Sequence, residues 1–127
     1  MPSRKIEDLT PATQEKYRAF ASKMAEEKIP FIVTCTYRSQ AEQNDLFAQG
    51  RTKPGPIVTW TTLSKHTDRI AFDICINRDG AACWDVKVDV NKDGIPDYEE
   101  AGKIGESVGL TWGGRWKTPD RPHFQLG

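Results

Sequence analysis

The chain lacks most of the features that place a protein quickly. No apolar run approaches the length that spans a bilayer. The first residues include Arg4, Lys5, Glu7 and Asp8 where a secretory leader would be apolar, so synthesis and folding in the cytoplasm are expected. No charge of one sign is in excess. The 18 basic residues meet 18 acidic ones, which gives no global electrostatic reason to bind nucleic acid or an anionic membrane. Cysteine is scarce: Cys35, Cys75 and Cys83 cannot all pair within one chain, and none of them form a C-x-x-C. Cys35 and Cys75 lie in apolar runs and read as packed thiols in a reducing compartment. Repeats, low-complexity stretches and an interdomain linker are missing too. What remains, 127 residues with 37% apolar and 28% charged, suits one domain over residues 1–127 with one core.

The local patterns predict an α+β fold, a small antiparallel sheet with flanking helices. Thr10-Pro11 reads as an N-cap followed by proline at the first helical position, and Tyr17, Phe20, Ala21, Met24 and Ala25 keep helical spacing, giving a helix over 11–27. Pro30 breaks it. The β-branched run at 31–36 predicts a strand. Ser39 caps a second helix with Ala41, Leu46 and Phe47 inward and Gly50 closing it. Residues 51–65 read as a loop, with Pro54, Gly55 and Pro56 as breakers. A strand is expected over 70–76, a turn over 77–82, a further strand over 84–90, a third helix over 97–107 and a short C-terminal strand carrying His123 and Gln125 on one face.

Histidine is the scarcest chemical resource, with two in the whole chain. His66 stands seven residues before Asp73, and His123 stands three after Asp120. In the predicted strand, Phe72, Ile74 and Ile76 face one way and Ala71, Asp73 and Cys75 the other. An aspartate there is expensive to bury without a cation or hydrogen-bond donors. His66, Asp73 and His123 offer zinc two imidazoles and a carboxylate with the fourth position open, which is a catalytic arrangement. Asp120 is then the candidate base. The residues alone leave open that both histidines are merely hydrogen-bonded. There is no His-Glu-x-x-His, so the helical zincin arrangement is excluded.

Four ordered blocks extend the pattern: Thr36-Tyr37-Arg38-Ser39 with Gln43, Leu46 and 49–52; Ser64-Lys65-His66 with Ala71-Phe72-Asp73; 112–116 (WGGRW); and Asp120 with His123-Phe124-Gln125. Together they resemble the VanY-like D-Ala-D-Ala carboxypeptidase family of zinc peptidases, and more narrowly its L-alanyl-D-glutamate endopeptidases used as phage endolysins. The resemblance covers residues 31–126. It implies zinc at His66, Asp73 and His123, Asp120 as catalytic acid/base, and Arg38 as the group that steadies the substrate carbonyl, a role a fixed guanidinium suits. Apart from the resemblance, Arg38 can be read as a strand-end surface charge. Tyr37, Trp112 and Trp116 are expected at the substrate, or, for the tryptophans, in the core. The family carries glycine three residues after the first histidine, where this chain has Arg69. If that position has positive φ, arginine there is strained.

A second metal pattern lies between the zinc ligands. Residues 89–100 match the twelve-residue EF-hand loop, with Asp89, Asn91, Asp93, the Ile95 carbonyl, Asp97 (directly or through water) and Glu100 as calcium ligands and Gly94 at the sharp turn. The alternative is an acidic cluster favoured by a helix N-terminus. Residues 84–88 are not helical in pattern, and Pro96 lacks the N–H that paired loops share, so a single loop–helix unit is expected.

The expected function is therefore a zinc-dependent peptidoglycan peptidase, an endolysin cutting the L-Ala–D-Glu bond. It would act as a monomer, with no nucleic-acid or membrane partner. It would be made in the host cytoplasm and reach the periplasm and wall after the membrane is opened. The want of a second, wall-binding domain suggests a thin-walled host. A D,D-carboxypeptidase, or a non-catalytic calcium-binding or wall-recognition module, remain as alternatives.

Overall fold

The computed structural model describes residues 2–59 and 61–127. Thr10 caps the first helix as its sequence predicts: its hydroxyl accepts from the Thr13 N–H at 3.3 Å, and Pro11 opens α1 (Pro11–Glu26). Phe20 and Met24, one turn apart, form its buried stripe. The helix stops at a left-handed Lys28 (φ 59°), and Pro30 leads into β1 (Phe31–Cys35). Ser39 then builds a full capping box with Glu42 at the start of α2 (Gln40–Ala48).

The inward face of α2 departs from expectation. Ala41 is exposed, Leu46 and Phe47 are half-buried, and the fully buried side chain is Gln43. This helix packs over a polar cleft and not over the apolar core. There the Gln43 amide accepts from Arg38 at 2.7 Å and donates to the Thr61 carbonyl at 2.7 Å.

The central strand β2 (Ala71–Arg78) turns through Asp79 (φ 55°) and Gly80 (φ 87°) into β3 (Ala81–Cys83). Two successive positive φ values suit the right-handed twist of a tight hairpin. The strand expected over 84–90 is therefore displaced. The two-residue turn sets pairing at 81–83, and residues 84–90 form turns, with Trp84 55% and Val86 45% exposed. After them come α3 (Asp97–Ser107), β4 (Leu110–Trp112) and β5 (His123–Leu126). The five strands pair antiparallel in the order β1-β2-β5-β4, with β3 on the far end of β2.

One face of this sheet is apolar and carries α1 and α3. Phe20 meets Phe124 at 4.8 Å and Phe72 at 5.5 Å between ring centroids, and Phe72 and Phe124 stack at 5.5 Å. Each such pair adds about 0.5–1.5 kcal/mol beyond the area it buries. Gly102 on α3 lets the helix lie against the Trp112 indole; a Cβ there would come within 2.2 Å of the ring. The opposite face is left for polar side chains.

Arg69 has positive φ (64°), the left-handed conformation that the glycine of the family pattern suggested. Two contacts hold it. Its guanidinium lies 4.0 Å over the Tyr37 ring and donates to the Asp8 carbonyl at 3.1 Å. Its own carbonyl accepts from Thr10 at 2.9 Å, tying the turn to the start of α1. A left-handed side chain costs about 1–2 kcal/mol relative to glycine. Arg69→Ala keeps that cost and loses the contacts, whereas Arg69→Gly loses both. Denaturant melts should therefore show Arg69→Gly more stable than Arg69→Ala by about 1 kcal/mol; equal stabilities would mean the turn is unstrained.

Candidate active site

Strand register assembles the site. Cys35 on β1 pairs with Asp73 on β2, and Asp73 pairs with His123 on β5. Directly opposed residues in antiparallel strands share a face, so these three side chains form a row across the polar face. The register shifts between Val33 and Cys35, an irregularity of the kind that re-aims side chains beside functional sites. His66 arrives from outside the sheet, on the turn over 65–69. Its N–H donates to Ser64 Oγ at 3.1 Å, and the turn closes by Arg69 N–H to the His66 carbonyl at 3.1 Å.

Both imidazoles present a nitrogen to the same carboxylate. His66 Nε2 lies 3.2 Å from Asp73 Oδ2, and His123 Nδ1 lies 3.0 Å from Asp73 Oδ1. The other nitrogens are committed. His66 Nδ1–H donates to the Thr36 carbonyl at 3.1 Å, which can only accept, and His123 Nε2–H donates to Gln125 Oε1 at 2.9 Å. These bonds orient both rings and turn the second nitrogen of each towards Asp73, where it serves as a donor to the carboxylate or, with the proton gone, as a ligand to a cation. His66 is 3% exposed, and its Nε2 is buried without a hydrogen bond of good geometry despite its nearness to Asp73.

The electrostatics follow. Burial opposes charge on both groups. The His123 hydrogen bond and the nearby His66 nitrogen nevertheless hold the Asp73 carboxyl well below the usual carboxylate range. Against its own burial, the Asp73 carboxylate and, less, Cys35 raise His66 to about 10. A cation at this point would replace the proton that the imidazole otherwise holds. Two ring nitrogens and a carboxylate are the donor set of an open zinc site, so the residues fit that metal. Cys35 Sγ, a His66 nitrogen and an Asp73 oxygen also lie within 4.8 Å of one another. Cys35 is buried as expected, but on the site face and outside the apolar cluster.

A cleft of about 1100 Å³ opens beside the row, lined in part by Arg38, Lys65, Trp116, Lys117 and Asp120. Asp120 is held by its N–H to the Gly113 carbonyl at 2.9 Å, and its carbonyl accepts from His123 at 3.1 Å. A Cβ at Gly113 would come within 2.5 Å of that carbonyl, so only glycine allows the approach. Although Asp120 as a residue is exposed, protein crowds its carboxyl. That desolvation, then the Asp73 charge, pushes its pKa up, the direction useful for a group that must both take and give a proton. Arg38 is aimed by Gln43 Oε1 at 2.7 Å and by Cys35 Sγ at 3.6 Å. Trp116 stands 5.1 Å from the His123 ring.

Two expected substrate contacts lie elsewhere. Tyr37 carries Arg69 and is not among the cleft-lining residues. Trp112 is 2% exposed and spends its indole N–H on the Arg121 carbonyl at 2.9 Å. It fixes the Arg121 backbone from below and is not among the residues lining this cleft.

A peptidase M15 family model described as D-alanyl-D-alanine carboxypeptidase matches residues 58–126, more than half of the chain. The chain belongs to this VanY-like peptidase family. Among its relatives is the peptidoglycan L-alanyl-D-glutamate endopeptidase CwlK of Bacillus subtilis, 36% identical over 123 residues, which are 94% of this chain and 74% of that protein. The fold matches the L-Ala D-Glu endopeptidase ChiX of Serratia marcescens with a TM-score of 0.74 at 23% identity, over 100% of this chain and 89% of that one. It also matches the LD-carboxypeptidase LdcB with a TM-score of 0.66 at 13% identity, over 93% of this chain and 58% of that one.

Within this M15 site, Gln125 and the Thr36 carbonyl orient the imidazoles, and Gln43 stands behind Arg38. All three residues lie in the ordered sequence blocks, but nothing in those blocks assigned them a role. Gln125→Leu keeps the volume but frees the His123 tautomer. It should weaken zinc binding about 10–100-fold in competition with a chromophoric chelator. Unchanged affinity would show that Gln125 does not orient the ring.

Proposed function

We propose that this chain is a zinc-dependent peptidoglycan peptidase that hydrolyses the L-Ala–D-Glu bond of the stem peptide. The observation that carries it is the convergence of two oriented imidazole nitrogens on Asp73, with Asp120 and Arg38 facing the same cleft. His66, Asp73 and His123 would hold the metal. A zinc ion there supplies Lewis-acid polarisation of the scissile carbonyl and acidifies water. Asp120 accepts the proton of the attacking water and hands it to the leaving amine. Arg38, fixed by Gln43, donates to the carbonyl oxygen as negative charge builds on it. Lys65 and Lys117 add positive charge along the cleft, which suits a substrate bearing the free carboxylates of a peptidoglycan stem.

The bond choice is supported by the 36% identity to an enzyme named for that bond. The second reading, a carboxypeptidase removing terminal D-Ala, is favoured by the description of the matching family model. Mass analysis of fragments from purified peptidoglycan separates them: new amino termini on D-Glu support the endopeptidase, and released D-Ala the carboxypeptidase. Asp120→Ala should lower the rate by at least about a hundredfold with zinc content unchanged. Full activity in that variant would remove Asp120 from the chemistry.

The reading extends to a lytic, endolysin role, with synthesis in a host cytoplasm and action on the wall once the membrane is open. Purified protein should then clear permeabilised Gram-negative cells and leave intact ones turbid.

A further inference from the structure

The loop between β3 and α3 draws together oxygens that the fold leaves unsatisfied. Asp97, at the start of α3, is fully buried. Its Oδ2 accepts from the Val90 N–H at 2.6 Å, so the side chain reaches back over the loop, yet its Oδ1 is buried with no partner. Asn91 Oδ1 and Glu100 Oε1 are buried and unpartnered as well. The orientation of the Asn91 amide is fixed from outside, because its Nδ2 donates to the Glu27 carbonyl at 2.8 Å. A carbonyl can only accept, so the amide oxygen must face the other way.

Burying three such oxygens without donors is unfavourable, and two of them belong to carboxylates. The ion pairs among the described residues place Glu99 with Arg121 but pair none of the loop carboxylates. Glu100 also lies beside the Asp93 carboxylate, so like charges crowd together in the loop. Asp89 accepts from the N–H groups of Asp93 at 3.3 Å and Gly94 at 3.0 Å, and Gly94 takes φ 87°, so the loop is wound tightly around these side chains. An all-oxygen set on a wound loop is what a hard, loosely coordinated divalent cation requires, and it suits calcium better than magnesium.

The loop is wired to the candidate active site through the first turn of α3. Glu99 grips Arg121 at 3.3 Å, between Asp120 and His123 in the chain. Tyr98 Oη accepts from the Ile76 N–H at 3.2 Å and donates to the Cys83 carbonyl at 2.7 Å, pinning β2 three residues beyond Asp73.

We propose that residues 89–100 bind one calcium ion through Asp89, Asn91, Asp93, the Ile95 carbonyl, Asp97 and Glu100, and that the bound ion fixes the start of α3 and thereby steadies residues 119–123 through Glu99 and Arg121. Binding and coupling are read without peptidase activity, so their failure is separate from failure of the catalytic reading.

The test uses the zinc-loaded full chain, freed of calcium over a chelating resin with zinc restored. Calorimetry with calcium chloride should show one site, and calcium should raise the melting temperature. Glu100→Gln, which keeps shape and removes the crowded charge, should stay folded and lose at least about tenfold in calcium affinity. Hydrogen exchange in peptides spanning 119–124 should slow on adding calcium to the wild type. In Glu99→Gln the calcium affinity should hold while that slowing disappears. Absence of calcium heat, or an equal melting shift in Glu100→Gln, would overturn the site. Calcium binding that leaves exchange at 119–124 unchanged, or slows it equally in Glu99→Gln, would overturn the coupling.

Discussion

The Asp73 carboxylate is the point on which the rest of the polar face depends. It sits on the central strand, with Cys35 opposite on one side and His123 on the other, and it receives a second imidazole from the 65–69 turn. A carboxylate in such a place is tolerated only because an imidazole nitrogen faces each of its oxygens. Each imidazole in turn has its far nitrogen tied down, by the Thr36 carbonyl or by Gln125. The trio is thus rigid before any metal or substrate arrives, and rigidity at this distance scale is what metal-assisted hydrolysis requires.

The apolar face supplies that rigidity. Phe72 and Phe124, neighbours of Asp73 and His123 along their strands, point the other way and stack beneath Phe20. Alternation makes each strand do two jobs, with one residue anchoring the core and the next presenting chemistry. Trp112 plays the same part for the segment that follows β4. Packed on Gly102 and bonded to the Arg121 carbonyl, it holds the ribbon that carries Asp120. The cleft wall is formed by α2 and by residues 49–59 and 61–65, held to each other largely by side-chain to backbone bonds from Gln40, Gln43 and Gln49.

Much of this was legible from the chain. The caps of α1 and α2, the α3 boundaries, the direction of Asp73 and the His66–Asp73–His123 grouping follow from local rules and from a family pattern in four ordered blocks. The misplaced parts share a cause. The strand expected over 84–90 gave way because the Asp79-Gly80 turn set the hairpin register first. Gln43 and not Leu46 is the buried side chain of α2, because that helix faces a polar cleft and periodicity cannot report what it packs against. Tyr37 and Trp112 carry no mark in sequence that distinguishes a ring lining a cleft from one supporting a turn or a core.

By itself the sequence determined which residues could do chemistry, since with two histidines and one aspartate inside an apolar strand there were few ways to build a three-donor site. It also marked Arg69 as the position where a left-handed turn would be strained, and the oxygen-rich loop at 89–100. Only the tertiary structure decided that Cys35 joins the row with Asp73 and His123, that Gln125 and Thr36 choose the tautomers, and that Glu99 reaches Arg121. Those are contacts between strands and helices distant along the chain. They are fixed by register and packing, which depend on every element at once, whereas turn, cap and motif preferences are settled by neighbours a few residues away.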